Sequence, residues 1–215
     1  MVMEQKGQNA LDRFIGKTRE LCAREPDLDK RWTTLSPILA ELLADPEVLE
    51  ASRGWPDCVP LNGRAENLLF YEDPVYGFAV NGLTKGSARQ GQPTRIHDHA
   101  HIYTLYGVLD GHERIERYER LDDRSRPNYA KIRKTTDLLV GPGEIDLVKP
   151  YEIHRELTVG ERTVAVIIRS EKGGGFNQGR YNPETNEYFE SPGPRQTPVE
   201  MLPKKSAHTP APPPA

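Results

Sequence analysis

The chain has 215 residues, with 29 Lys and Arg against 32 Asp and Glu, a formal net charge of −3 and two cysteines. That length supports one buried core, and the interleaved charges, as in Arg114-Ile-Glu-Arg-Tyr-Glu-Arg120, form no basic stripe for nucleic acid. There is no apolar run near the roughly 18 residues that span a bilayer, no apolar signal core after Met1 and no disulfide framework from Cys22 and Cys58. The expectation is a reduced, cytoplasmic protein without membrane contact.

From Leu11 to Leu49 the chain reads as largely helical. Leu11, Phe14, Ile15, Thr18 and Leu21 recur at three- and four-residue spacing and make one apolar face. Pro26 and Asp27 interrupt it. A second helix follows, with Ser36-Pro37 expected at its start and Ile38, Leu39, Leu42, Leu43 and Leu49 on its apolar side. Trp55-Pro56 and Val59-Pro60 then mark a loop.

After Leu68 the period changes. Leu68–Tyr71, Gly77–Val80, His101–Leu109, Asp137–Val140 and Thr163–Ile168 are short segments rich in apolar, β-branched and aromatic residues, separated by Gly, Pro, Asn and Asp. Many strands without intervening helices predict a sandwich or barrel. Pro150 predicts a bend or edge as the chain enters the strand of His154. Residues 191–215 carry eight prolines and read as a disordered tail. The predicted organisation is a helical segment over 1–60 packed on a barrel over 61–190, then that tail.

Five of the six histidines fall between positions 97 and 154. In a strand, His97 and His99 of Arg-Ile-His-Asp-His point to the same side. A later strand can bring His154 to join them. Three neutral imidazoles with open positions opposite suit a divalent metal that must also bind substrate. His101 and Tyr103 continue the alternation and are weaker candidates. Tyr103 and Tyr151 are candidates for a hydroxyl near the metal, with core packing the default for both.

The H-x-H pair, Gly111 twelve residues after His99 and His154 forty-three residues further on resemble the cupin superfamily. Thr104 stands where that superfamily's first motif has a glutamate ligand. A three-histidine site without the carboxylate resembles the cysteine dioxygenase type of thiol dioxygenase, and bacterial 3-mercaptopropionate dioxygenases in particular. Further likeness lies in Asn67-Leu68-Leu69-Phe70-Tyr71-Glu72-Asp73, Gly77-Phe78-Ala79-Val80 and Gly107-Val108-Leu109-x-Gly111-x-Glu113. The resemblance covers roughly residues 10–190.

The resemblance implies an all-β double-stranded β-helix (jelly-roll) barrel with a short N-terminal helical segment. It implies a mononuclear non-haem Fe(II) dioxygenase that oxidises a small thiol carboxylate to its sulfinate with O2. His97, His99 and His154 would bind the metal. The family's Ser-x-His-x-Tyr array falls on Ile167, Arg169 and Glu171, none of which matches. If that strand face points inward, Arg169 either pairs with Glu171 or holds an anion; if the strand has reached the rim, both are solvated. For the family's carboxylate-gripping arginine, Arg180 after Gly173-Gly174-Gly175 is the preferred counterpart over Arg64. Arg180, Arg169 and Tyr103 are therefore the candidate substrate-binding residues, and no catalytic acid or base is assigned. The alternatives are an oxygenase acting on a non-thiol aromatic or nitrogen-containing molecule, and a non-catalytic metal- or ligand-binding barrel. Oligomeric state is open.

Overall fold

The N-terminal pattern resolves into three helices: α1 (Ala10–Arg24), α2 (Leu28–Leu43) and α3 (Pro46–Ser52). The computed structural model describes residues 8–62, 64–86 and 93–203. Each helix starts at an acceptor side chain that takes an otherwise orphaned backbone N–H: Asn9 from Asp12, Asp27 from Lys30 and Asp45 from Glu47. Phe14, Ile15, Thr18 and Leu21 form the buried face of α1, as their spacing requires. The second helix does not begin at Ser36-Pro37. Asp27 caps it and Pro37 lies in its interior. An interior proline costs about 3 kcal/mol, and burial of Trp32, Leu35, Leu39, Leu42 and Leu43 along one face offsets that cost.

Among the described residues ten strands follow: β1 (Glu66–Glu72), β2 (Ala79–Lys85), β3 (Ile96–His97), β4 (Thr104–Arg120), β5 (Ile132–Val140), β6 (Ile145–Val148), β7 (Ile153–Arg169), β8 (Asn177–Asn182), β9 (Glu187–Pro192) and β10 (Arg195–Pro198). The long strands β4 and β7 pair antiparallel along their length, from Thr104↔Arg169 to Tyr118↔Ile153, with register shifts at Val108/Asp110 and Asp110/His112. These irregularities bend the pair, so that each strand serves two sheets. One sheet runs β10–β1–β2–β7(163–169)–β4(104–110)–β6. The other runs β9–β8–β3–β7(153–159)–β4(112–120)–β5. Folded on each other, they make the expected jelly-roll barrel.

The centre of the first sheet is buried on both faces, and β2 and residues 163–169 of β7 accordingly contain no exposed position. Its outer face packs against α2, so closely that a Cβ on Gly107 would lie 2.6 Å from Leu43 Cδ1. Its inner face lines the cavity described below. The helical segment thus packs on the barrel. Among the described residues no helix is long and apolar enough to cross a membrane.

The barrel does not end at residue 190. β10 pairs in parallel with β1, Glu66↔Arg195 to Leu69↔Pro198, and the Trp55 indole donates to the Met201 carbonyl at 3.0 Å. Residues 191–203, predicted to be tail, are therefore part of the fold. Proline is tolerated because β10 is an edge strand with ladder bonds on one side only. Residues 204–215, including His208, lie outside the described residues.

On the outer surface Glu116 ties three strands together, accepting from Arg155 Nε (2.5 Å), Tyr118 OH (2.6 Å) and Lys134 Nζ (3.2 Å). Partial burial raises its pKa, but these donors outweigh burial and hold it down from 4.5 to about 2. A carboxylate depressed in the folded state contributes stability above its unfolded pKa and loses it as pH falls toward the folded value. Glu116→Gln should therefore lower the urea midpoint at pH 7, and the gap from wild type should close between pH 4.5 and about 2. A gap independent of pH contradicts this role.

Candidate metal centre

The second sheet brings two of the three expected ligands together by register. His97 on β3 stands directly opposite His154 on β7 and opposite Arg180 on β8. Directly paired residues share a sheet face, so all three project inward. β3 ends at His97, and His99 follows in the turn just beyond.

The donor atoms of His97, His99 and His154 all lie within 4.8 Å of one another, and all three residues are buried. The His97 Nδ1–H donates to the Arg95 carbonyl at 2.8 Å, and the His154 Nδ1–H to the Glu152 carbonyl at 3.2 Å. Each backbone bond fixes its tautomer and turns an Nε2 lone pair toward the group. His97 Nε2 lies 3.2 Å from His99 Nε2. Two nitrogens bound at right angles to one ion, each at about 2.0–2.1 Å, would be roughly 3 Å apart. Burial, followed by the neighbouring His154, holds His97 down at about 3, and burial likewise takes His99 well below its usual value. Neutral imidazoles are the form that binds metals. His154 Nε2 and His99 Nδ1 are buried without a hydrogen-bond partner. This donor set fits a divalent transition metal.

A carboxylate that the motif comparison did not anticipate sits beside the group. Glu156 lies two residues after His154 on β7 and so shares its face. Its Oε1 is 3.4 Å from His154 Nε2, long for a hydrogen bond, and its Oε2 accepts from Thr94 Oγ1 at 2.7 Å. Burial raises the Glu156 carboxyl, but His97, His154 and Lys85 outweigh it and hold the group well below the carboxylate range. For His154 burial lowers the pKa and Glu156 reverses the direction. A cation among the three imidazoles would take the place of the proton that Glu156 otherwise draws onto His154. Glu156→Gln keeps the shape and removes the charge. It should weaken divalent-metal affinity by roughly 10–100-fold in chelator competition; unchanged affinity would show that the carboxylate takes no part.

The group opens on a cavity of about 430 Å³ lined from both sheets. Arg169 points into it and is 4 % exposed. Its Nη1 donates to Asn81 Oδ1 (2.7 Å) and its Nη2 to Asn67 Oδ1 (3.0 Å), while its Nε has no partner. Burial brings its pKa down to about 10, which leaves it cationic at neutral pH. Asn81 is in turn anchored by donating to the Leu68 carbonyl and to Gln196 of β10. Glu171, two residues on, is exposed and meets His101 at 3.1 Å. Neither arginine–glutamate pairing nor a solvated rim describes Arg169. Arg180 is half-buried in the same cavity, donating from Nε to Ser191 Oγ (3.0 Å) and from Nη2 to Gln178 Oε1 (3.1 Å).

Tyr103 is not at this site. Its ring stacks on Trp32 of α2, with centroids 5.9 Å apart, and its hydroxyl donates to Asp29 at 3.0 Å. The alternation that placed it beside His97 and His99 breaks at Ala100, where φ is +52° and the chain turns. Tyr151 is exposed. The tyrosine in the cavity wall is Tyr106, with Thr104 near it on β4, and neither hydroxyl has a hydrogen-bond partner. Burial, and then the Glu113 charge, keep the Tyr106 phenol protonated. Glu113 itself is structural, paired with Lys85 at 3.1 Å.

No family model matches the chain. Similar solved structures include an oxalate oxidase bound to glycolate, with 17% identity and a TM-score of 0.34 over 44% of this chain and 42% of that one. This chain thus spans less than half of the oxalate oxidase. A conserved protein with a double-stranded β-helix domain from Klebsiella pneumoniae has 17% identity and a TM-score of 0.34 over 62% of this chain and 90% of its own. A hydroquinone 1,2-dioxygenase in complex with Cd2+ and 4-hydroxybenzonitrile has 14% identity and a TM-score of 0.39 over 71% and 75%. Likeness at this level carries nothing about substrate.

Proposed function

We propose that the chain is a mononuclear non-haem iron dioxygenase in which His97, His99 and His154 hold Fe(II), oxidising a small thiol carboxylate to its sulfinate with O2. The observation that carries this reading is the convergence of three imidazole donors, two of them in the wall of one cavity, with a buried arginine in that wall whose hydrogen-bond partners are neutral. Fe(II) held by three neutral ligands keeps its full charge and open positions, and supplies the redox capacity for adding both oxygen atoms to sulfur. The protein's own groups divide the remaining work. Arg180 or Arg169 holds the carboxylate end. Glu156 Oε1, 3.4 Å from His154 Nε2, places a negative charge beside the metal ligands. The hydroxyls of Tyr106 and Thr104 offer hydrogen bonds to the bound reactants. Ile167 contributes an apolar wall.

A second reading keeps the metal and changes the substrate to a non-thiol organic acid. It is favoured by Ile167 and Arg169 standing where thiol dioxygenases carry their Ser-x-His-x-Tyr array. Oxygen uptake by anaerobically Fe(II)-loaded protein, with a panel that includes cysteine and 3-mercaptopropionate, decides between them. Uptake of about one O2 per thiol supports the thiol reading. No thiol-dependent uptake with iron bound overturns it in favour of the second, and failure to retain iron favours a non-catalytic barrel.

A further inference from the structure

We propose that the cavity selects a substrate carrying two anionic groups, one seated on Arg169 and the other on Arg180. This specifies the substrate class and rests on the reading of the cavity as a substrate site. The two guanidiniums enter from facing sheets. Arg169 comes from β7 in the row of Ala79 and Thr104, and Arg180 from β8 in the row of His97 and His154. Among the described residues their hydrogen-bond partners are neutral: two asparagines for Arg169, and a serine and a glutamine for Arg180. Each spends two of its five N–H donors in this way and keeps three.

Carboxylates do line the cavity, but each is already engaged. Glu66 is held by Arg195 at 3.0 Å, Asp146 by Arg117 at 2.5 Å, and Glu156 stands beside His154. Among the described residues no carboxylate hydrogen-bonds or ion-pairs with either guanidinium; Glu156 acts on both, and Asp98 on Arg180, only through space. A buried cation without a partner is costly, and removing two from water in one chamber adds their mutual repulsion. A monoanion relieves one of them. A dianion with its charges at opposite ends relieves both and meets each with the planar fork that suits a carboxylate or similar oxyanion.

The test is calorimetric titration of the full-length, metal-loaded protein with succinate and with butyrate, which match in chain length and differ in charge. Wild type should bind succinate roughly ten-fold more tightly than butyrate or better, the worth of one charge-assisted contact. Arg180→Met, at a half-buried position, and Arg169→Gln, with folding checked by thermal melt, should each reduce that ratio to below about three-fold. Equal affinity in wild type, or a preference that survives Arg180→Met, overturns the proposal. Calorimetry needs no turnover, so the two readings fail separately. A succinate preference without oxygen uptake on mercaptosuccinate or 3-mercaptopropionate removes the thiol-dioxygenase reading alone. Uptake on 3-mercaptopropionate without the preference removes this proposal alone.

Discussion

If His97, His99 and His154 hold Fe(II), as proposed, His99→Ala should abolish its stoichiometric retention and with it any metal-dependent oxygen uptake. His97 and His154 are each locked by a backbone carbonyl through Nδ1, so both remain in place when His99 is removed. What disappears is the donor 3.2 Å from His97 Nε2, and with it one of the three ligands that would hold the ion. Loss of a group that merely orients a ligand typically costs 10–100-fold in metal affinity, so loss of the ligand itself should exceed about 100-fold. His99 sits in the turn after β3 and makes no ladder bond, so the variant should fold. Equilibrium dialysis against a metal buffer reads the result. Iron at full occupancy in the variant would remove His99 from the ligand set.

Gly111→Ala is the substitution expected to cost most in stability. Gly111 lies on β4 where the strand leaves one sheet for the other, with φ +77°. A Cβ there would lie 2.0 Å from the Arg162 carbonyl oxygen and 3.0 Å from its carbon. Both are backbone atoms of the paired strand and cannot rotate away. Relief requires separating β4 from β7 at the bend that aims Thr104 and Arg169 on one half and His154 on the other. The left-handed backbone alone costs about 1–3 kcal/mol, and the steric conflict adds to it, for a total of at least about 3 kcal/mol. A urea midpoint within about 0.5 kcal/mol of wild type would show that the bend tolerates a side chain.

The clustering of three histidines was legible because its signals are local or strongly typed: an H-x-H pair, and a histidine on a distant β-rich segment. The helical segment was legible from its apolar spacing, although Pro37 mislocated the start of α2. Propensity gives proline a local penalty, whereas the buried stripe that overrides it is a tertiary effect. Orientation was less accessible. Whether Arg169 faces the cavity depends on the pairing Ala79↔Arg169↔Thr104, a long-range register that composition does not encode. Tyr103 failed for the complementary reason, since strand alternation cannot be carried through a residue with positive φ such as Ala100. Glu156 had a usable signal, its i+2 position after His154, but only once His154 is known to lie on an inward-facing strand. Gln196 and Ser191 lay in the proline-rich stretch expected to be tail, and both support cavity residues.

X-ray absorption at the iron edge of the anaerobically Fe(II)-loaded protein tests the central claim most directly. Three histidine ligands predict a first shell of nitrogens at roughly 2.0–2.2 Å, with outer-shell scattering from three imidazole rings. A first shell of oxygens without imidazole scattering would contradict the assignment of His97, His99 and His154 as the metal centre.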